Sequence, residues 1–229
     1  MTSSRSDLES QNLTRKATGK GCLPGSFIPP MIALCFGLML MTATGGFDDI
    51  HSELEEAAMA VPGNGLIASF FTPEVQYWAT DIVRWAGQAD LDPNLVSTVM
   101  QIESCGNPSA LSPAGASGLF QVMPDHFEVF EDPFAPETNA LRGLNYLKES
   151  LQRANGNPRL ALAGYNGGVG VIFRDESTWA DETIRYAYWG SGIYGDAANN
   201  LGHSWRLDEW LNAGGASLCL QAAQALGLP

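Results

Sequence analysis

The stretch that decides the fold is Asp92–Pro108, DPNLVSTVMQIESCGNP. Asp92 can cap the first turn of a helix, and Pro93 suits the first helical position, where its missing N–H costs no hydrogen bond. Gly106 and Pro108 then predict the end of that helix. The segment therefore predicts a helix of about three turns that ends just after a Glu-Ser pair.

Glu103 lies on the apolar side of this predicted helix. It follows Val96, Val99 and Met100 by seven, four and three residues, which places all four side chains on one face. A carboxyl group on such a face is costly unless it is paired or keeps its proton. Because a retained proton is what a general acid needs at neutral pH, Glu103 is the candidate catalytic acid. The alternative is a helix-end glutamate that reaches solvent or a basic partner.

Helical patterns continue on both sides of this segment. Apolar residues recur at intervals of three and four from Pro73 onward, and helix-start signals follow later in the chain. The predicted later helices begin near Pro136, at Asn157-Pro158 and near Asp181, and a last amphipathic helix covers about Ser217–Leu226. No run of alternating strand residues is evident, so the sequence predicts a predominantly α fold with a single compact helical domain.

A segment rich in small residues separates the predicted helices at 92–108 and 136. Residues 109–124, SALSPAGASGLFQVMP, are typical of an ordered loop. The loop carries the amide of Gln121 and the thioether of Met123, which we expect at a concave surface. Gln121 satisfying only loop backbone groups, and Met123 serving as ordinary core, are the alternatives.

The charge of the chain is unevenly distributed. The formal net charge is −13, but the residues before the first apolar stretch carry +2, so the chain from Phe47 onward carries −15. Nucleic-acid binding needs a basic surface, and this composition excludes it as the expected function. Most of these carboxylates are expected to serve as a solubilising surface.

An apolar stretch near the N-terminus predicts export. No charged residue occurs from Gly21 to Phe47, and Phe27–Gly46 has about the length of a membrane-spanning helix. Basic residues ahead of it predict a cytoplasmic segment 1–26 and an extracytoplasmic remainder. Residues 27–46 are therefore a transmembrane anchor or the core of a cleaved signal peptide. A buried helix of a soluble protein is the third alternative.

Cysteine usage agrees with an extracytoplasmic location. Cys22 and Cys35 precede or lie within the apolar stretch, which leaves Cys105 and Cys219 beyond it. An oxidising compartment permits these two to form a disulfide. Two unrelated buried thiols are the alternative.

Metal and cofactor chemistry find little support in the sequence. His51, His126 and His203 are far apart, and no His-Glu-x-x-His or clustered Cys/His spacing occurs. Gly-rich stretches lack the lysine of a phosphate-binding loop. We expect no metal and no cofactor.

Several ordered blocks resemble the signature of the soluble-lytic-transglycosylase (SLT) domain family. The blocks are Glu103-Ser104, Asn107-Pro108, Ser112–Ala116, Gly118–Gln121, Met123-Pro124, Asp132-Pro133, Asn139, Gly143, Tyr146-Leu147, Ala163–Gly168 and Glu182-Thr183 with Tyr186. They cover roughly residues 75–195. The family's usual Leu-Met-Gln is Leu119-Phe120-Gln121 here, and the late tyrosine motif is looser.

The resemblance implies a lysozyme-like fold and cleavage of the MurNAc–GlcNAc glycan of peptidoglycan. It implies that Glu103 protonates the glycosidic oxygen and then acts as base on the C6 hydroxyl, giving a 1,6-anhydro product. Substrate-binding roles are implied for six residues: Ser104, Gln121, Met123, Tyr165, Asn166 and Tyr186. A lysozyme-type hydrolase using a second acid (Asp125, Glu128 or Asp132) and a non-catalytic glycan-binding module are the rival functions.

These inferences give the expected organisation of the chain. Its catalytic domain covers residues 73–195, after the linker 47–72 and before a helical extension at 196–229. We expect an envelope protein, anchored or secreted, whose partner is the glycan strand of peptidoglycan.

Overall fold

The computed structural model describes residues 66–229, and this part is built from helices. Its eight α-helices are α1 Pro73–Gln76, α2 Ala79–Ala89, α3 Pro93–Glu103, α4 Pro136–Arg153, α5 Pro158–Gly167, α6 Asp181–Ala198, α7 Trp205–Trp210 and α8 Ala216–Leu226. Short 3-10 segments lie at Pro124–His126, Val169–Phe173 and Glu176–Thr178, and a π-helical segment at Leu211–Gly215. Within 66–229 there is no sheet, only two isolated β-bridges in the loop before α4. The prediction of a predominantly α fold is confirmed.

The helix α3 lies at the centre of the domain. Every residue from Leu95 to Gln101 is buried, and the helix packs against α2 on one side and α6 on the other. Its start is capped as the sequence predicts, because the Asp92 carboxylate accepts a hydrogen bond from the Asn94 N–H at 2.8 Å. A helix enclosed in this way holds its last residue, Glu103, in a fixed position.

The apolar stripe predicted from Pro73 is buried, but it belongs to two helices. α1 ends at Gln76 and α2 begins at Ala79, with Trp78 between them. The indole N–H of Trp78 donates to the backbone oxygen of Gly106 at 2.9 Å. This bond joins the break between the helices to the chain just after α3.

Gly143 has a packing role inside α4. Glycine weakens a helix interior by about 1 kcal/mol relative to alanine. A Cβ at this position would lie 2.6 Å from the Cβ of Phe120, which is fully buried. The glycine therefore lets the loop before α4 press its aromatic residue against the helix.

The C-terminal residues pack on the same core as the rest of the domain. α6 continues to Ala198, past the predicted limit of the catalytic domain at residue 195. Leu207, Trp210 and Ala222 are buried in the shared core. Ile67, in the predicted linker, is buried there too.

The membrane prediction concerns residues that the structure does not describe. Among residues 66–229 no helix has the length and apolar character needed to cross a membrane. The predicted cytoplasmic segment 1–26 and the predicted anchor or signal core 27–46 lie outside the described residues, and so do residues 47–65.

Candidate active site

A cavity of about 660 Å3 opens beside the end of α3. Its walls come from α3, the loop before α4, α5, α6 and the π-helical segment near the C-terminus. The lining residues are Ile102, Glu103, Ser112, Ala114, Ala116, Gln121, Met123, Tyr165, Asn166, Glu182, Arg185, Tyr186, Trp189 and Ala213.

The cavity brings together most of the residues singled out from the sequence. Six of the seven predicted site residues line it: Glu103, Gln121, Met123, Tyr165, Asn166 and Tyr186. Ser104 does not line it. Its buried hydroxyl donates to the Leu119 carbonyl at 2.7 Å and accepts from the Gly106 N–H at 3.1 Å. The position of Ser104 gives it a contact with the loop, and its part in substrate binding stays a prediction.

Burial changes the acidity of Glu103. The side chain is enclosed by protein atoms except where it faces the cavity, and this loss of solvation raises its pKa from 4.5 to about 8. The Tyr186 hydroxyl opposes the rise, and the negative charge of Glu182 adds to it. A pKa above 7 keeps this carboxyl mainly protonated at neutral pH.

Two polar groups in the cavity have no hydrogen-bond partner among residues 66–229. These are the buried hydroxyl of Tyr186 and the buried indole N–H of Trp189. The Tyr186 hydroxyl lies close enough to affect Glu103, but their geometry falls short of a formed hydrogen bond. A buried polar group without a partner is costly. Both groups are therefore available to a polar ligand.

Other polar side chains of the cavity already have partners inside the protein. The Tyr165 hydroxyl donates to the Phe120 carbonyl at 2.7 Å, and its pKa is raised well above the usual value by burial. The Asn166 side-chain oxygen accepts from the Thr183 hydroxyl at 2.8 Å. The amide nitrogen of Gln121 donates to loop carbonyls. These contacts fix the walls of the cavity.

Asn139 holds the loop that forms one of these walls. Its side-chain oxygen accepts from the Phe120 N–H at 2.8 Å. Its side-chain nitrogen donates to the Ser117 carbonyl at 2.7 Å and to the Pro133 carbonyl at 2.9 Å. One fully buried amide on α4 thus fixes three points of the chain from 117 to 133.

Eight lining residues were not among the predicted site residues: Ile102, Ser112, Ala114, Ala116, Glu182, Arg185, Trp189 and Ala213. Glu182, Arg185 and Trp189 recur at intervals of three and four on α6, a pattern that also contains Tyr186 and that could have revealed them. Ala213 gave no such signal, because it reaches the cavity from the distant C-terminal segment. Arg185 forms neither an ion pair nor a hydrogen bond with any residue in 66–229.

The second acids considered for a hydrolase lie elsewhere. Asp125, Glu128 and Asp132 are exposed, and none of them lines the cavity. Glu128 pairs with Arg142 at 2.8 Å. The second carboxylate of the cavity is Glu182.

A disulfide joins the end of α3 to α8. Cys105, two residues after Glu103, is bonded to Cys219, with 4.9 Å between their Cα atoms. Within the described part of the chain, these two sulfurs and the carboxylate of Glu74 are the one cluster with metal-ligand spacing. Sulfurs bonded to each other supply no thiolate, which is the form that binds metal.

Several known proteins are similar in sequence to part of this chain. Residues 81–187 match the family model described as the Transglycosylase SLT domain. The chain is 36% identical over 114 residues to a transglycosylase of Enterobacteria phage PRD1, covering 49% of this chain and 40% of that protein. It is 33% identical over 101 residues to the soluble lytic murein transglycosylase of Salmonella typhimurium, covering 39% of this chain and 16% of that protein.

A solved structure is also similar. An inactive mutant of the lytic transglycosylase Slt from Pseudomonas aeruginosa matches 70% of this chain and 31% of its own, with 23% identity and a TM-score of 0.47. The chain spans less than half the length of each of these relatives. Residues 81–187, a little under half of the chain, are thus similar to the transglycosylase SLT domain family.

Proposed function

We propose that this protein is a lytic transglycosylase that cleaves the β-1,4 bond between MurNAc and GlcNAc in peptidoglycan. The observation that carries the proposal is the position of Glu103, a carboxyl group with a raised pKa at the wall of a large cavity in a chain similar to the SLT family. The relatives named above are transglycosylases by their descriptions.

Glu103 serves as acid in the first half of the reaction. Its proton passes to the glycosidic oxygen, the bond from that oxygen to C1 of MurNAc breaks, and GlcNAc leaves with a free 4-hydroxyl. A pKa of about 8 keeps this proton in place at neutral pH and still allows its transfer.

Glu103 serves as base in the second half. The carboxylate left by the first step takes the proton of the MurNAc C6 hydroxyl, and O6 bonds to C1 to close a 1,6-anhydro ring. Most glycoside hydrolases need a second carboxyl to activate water or attack the sugar. An internal hydroxyl removes that need, so one carboxyl can perform both proton transfers.

The other cavity residues bind the glycan in this proposal. Tyr186 directs a buried hydroxyl at the reacting carboxyl, and Tyr165 presents an aromatic ring to a sugar. Gln121, Met123 and Asn166 line the walls around them. Ser104 supports the loop that carries the first two of these.

A lysozyme-type hydrolase is the second candidate, because Glu182 is a second carboxylate in the cavity. In that reaction Glu182 would activate a water molecule, and the product would end in a reducing sugar. The two candidates differ by one water in product mass, since the anhydro product contains no added water.

The location of the protein is part of the proposal. We place the catalytic domain in the cell envelope, outside the cytoplasm, with residues 27–46 as a membrane anchor or signal core. The Cys105–Cys219 bond suits an oxidising compartment.

Digestion of purified sacculi by the full chain tests the proposal. We expect the wild-type protein to release muropeptides with 1,6-anhydro ends, and the Glu103→Gln variant to bind sacculi without cleaving them. Glu149→Gln is the matched control, since this glutamate lies on α4 with its side chain 45% exposed and does not line the cavity.

Three results would separate the candidates. Reducing ends in place of anhydro ends identify the hydrolase. Full activity of the Glu103→Gln variant refutes the mechanism. Binding without cleavage by the wild-type protein leaves a glycan-binding module.

A further inference from the structure

A second cavity lies beyond the catalytic cavity along α6. Its volume is about 330 Å3, and it is lined by Tyr188, Gly192, Asp196, Trp205, Arg206 and Glu209. Three of these residues come from α6 and three from α7, and all six lie outside the segment 81–187 that the family model matches. The catalytic role proposed above uses none of the six.

The most exposed group of this cavity is an indole ring. Trp205 is 81% exposed, and Tyr188, across the cavity, is 41% exposed. Both rings therefore present free aromatic surface to the cavity, and burial of such a surface by a ligand is favourable. The His203 ring touches Trp205 edge-on at 4.6 Å between centroids and restricts the indole.

The polar groups of the cavity are already ordered. The guanidinium of Arg206 lies 3.7 Å from the centre of the Tyr188 ring and donates to the Glu209 carboxylate at 2.7 Å. Gly192 permits this arrangement, because a Cβ there would lie 2.6 Å from Arg206 atoms. A ligand therefore meets fixed donors and acceptors, which reduces the entropy lost on binding.

The two cavities share one face of α6. Arg185 and Trp189 line the catalytic cavity, and Gly192 and Asp196 line the second, at successive intervals of four, three and four residues. Such spacing keeps all four on one side of the helix. The distance from the first to the last is about 16 Å along the axis. A polymer bound at Glu103 that follows this face reaches the second cavity.

We propose that the second cavity is an additional glycan-binding subsite, which holds sugars of the same strand remote from the bond that is cleaved. This inference rests on the function proposed above. The indole of Trp205 offers a flat surface for the C–H face of a pyranose ring, and the Arg206–Glu209 pair offers a donor and an acceptor to its hydroxyls. Asp196 adds a second negative charge, which favours an uncharged sugar over a polyanion.

Rates on long and short substrates test this subsite. The full chain is assayed on intact sacculi and on a tetrasaccharide of alternating GlcNAc and MurNAc, and the ratio of the two rates is compared between variants. We expect Trp205→Ala to lower the sacculus-to-tetrasaccharide ratio about five- to tenfold, the loss of one stacked aromatic contact. Trp205→Phe, which keeps a ring, should stay within about twofold of wild type.

A matched control and a binding measurement complete the design. Phe173 is 69% exposed and lines neither cavity, so Phe173→Ala removes an exposed aromatic residue from another surface. In the Glu103→Gln background, Trp205→Ala should weaken binding to sacculi by the same factor, about five- to tenfold.

Each outcome decides the proposal. An unchanged ratio for Trp205→Ala, or an equal fall on both substrates, overturns the subsite and leaves the proposed function standing. A similar effect of Phe173→Ala overturns it too. If the wild-type protein cleaves neither substrate, the proposed function fails first and the subsite fails with it.

Discussion

Replacing Glu103 by glutamine should make the folded protein more stable at neutral pH while abolishing its activity. Burial raises the pKa of this carboxyl from 4.5 to about 8. At pH 7 the unfolded chain has released a proton that the folded chain still holds. Between the unfolded-state pKa of 4.5 and pH 7, the free energy of unfolding falls by about 1.36 kcal/mol per pH unit, or about 3 kcal/mol in all. Glutamine is neutral in both states and removes this cost.

The sign of the effect sets the pH range to measure. Because the folded pKa is raised, the favourable contribution of the protonated carboxyl is complete below about pH 4.5 and is lost as the pH rises to about 8. The free energy of unfolding of the Glu103→Gln variant should therefore exceed that of the wild type by an amount that grows by about 1.4 kcal/mol per pH unit. Above pH 8 the difference becomes constant.

Urea unfolding followed by tryptophan fluorescence measures this difference, since the chain has six tryptophans. Curves at pH 5, 6, 7 and 8 are recorded for the wild type, Glu103→Gln and the control Glu149→Gln. The control removes one member of a surface ion pair with Arg153 and should change stability at pH 7 by less than about 1 kcal/mol. A difference for Glu103→Gln that does not vary with pH would show that this carboxyl ionises normally in the fold, and the catalytic argument would fail.

Three further predictions concern the groups around the catalytic cavity. Cys219→Ser should lower the free energy of unfolding by about 4 to 5 kcal/mol, the chain-entropy value for a loop of this size; a melting temperature equal to that of the wild type, with and without reductant, contradicts it. Tyr186→Phe should move the alkaline limb of the pH–rate profile to higher pH, because the hydroxyl lowers the pKa of Glu103. Glu182→Gln should move this limb to lower pH, because the carboxylate raises the same pKa. Shifts of the same sign would refute this. Asn139→Ala removes three hydrogen bonds, two of them buried, and should lower the free energy of unfolding by about 3 kcal/mol in urea. A loss below about 1 kcal/mol would mean that solvent replaces them.

The centre of the fold could be predicted from local signals. The Asp92-Pro93 start, the apolar spacing of α3 and the Gly106 stop lie within one short segment, so the inward position of Glu103 followed from helix geometry alone. The prediction that the loop residues Gln121 and Met123 lie at the cavity rested on their place in the chain and on the family resemblance. Short-range patterns were sufficient wherever a single helix set the position of the side chain.

Other features depended on contacts between distant segments. The break between α1 and α2 is joined to the Gly106 carbonyl by Trp78, a contact that the spacing of apolar residues does not contain. α7 is a helix of six residues between glycine-rich segments, too short for a periodic signal. Ala213 enters the cavity only because the C-terminal segment packs beside α6, and its small apolar side chain carries no chemical hint.

Gly143 shows how tertiary packing overrides a local preference. A glycine weakens a helix interior, and the structure explains the one at 143 by the approach of Phe120. The identity of the neighbour could not be read from the helix itself. Glycine in a helix therefore indicated a close contact, without indicating which one.

The bond between Cys105 and Cys219 has a consequence for biosynthesis. The partner of Cys105 is translated 114 residues later, and Ala213, which completes the cavity wall, comes late as well. A nascent chain that has folded through α6 still has an open wall beside Glu103 and a lone thiol behind it. Only after α8 has been synthesised, and an oxidant has met both sulfurs, is the enclosure around the acid complete.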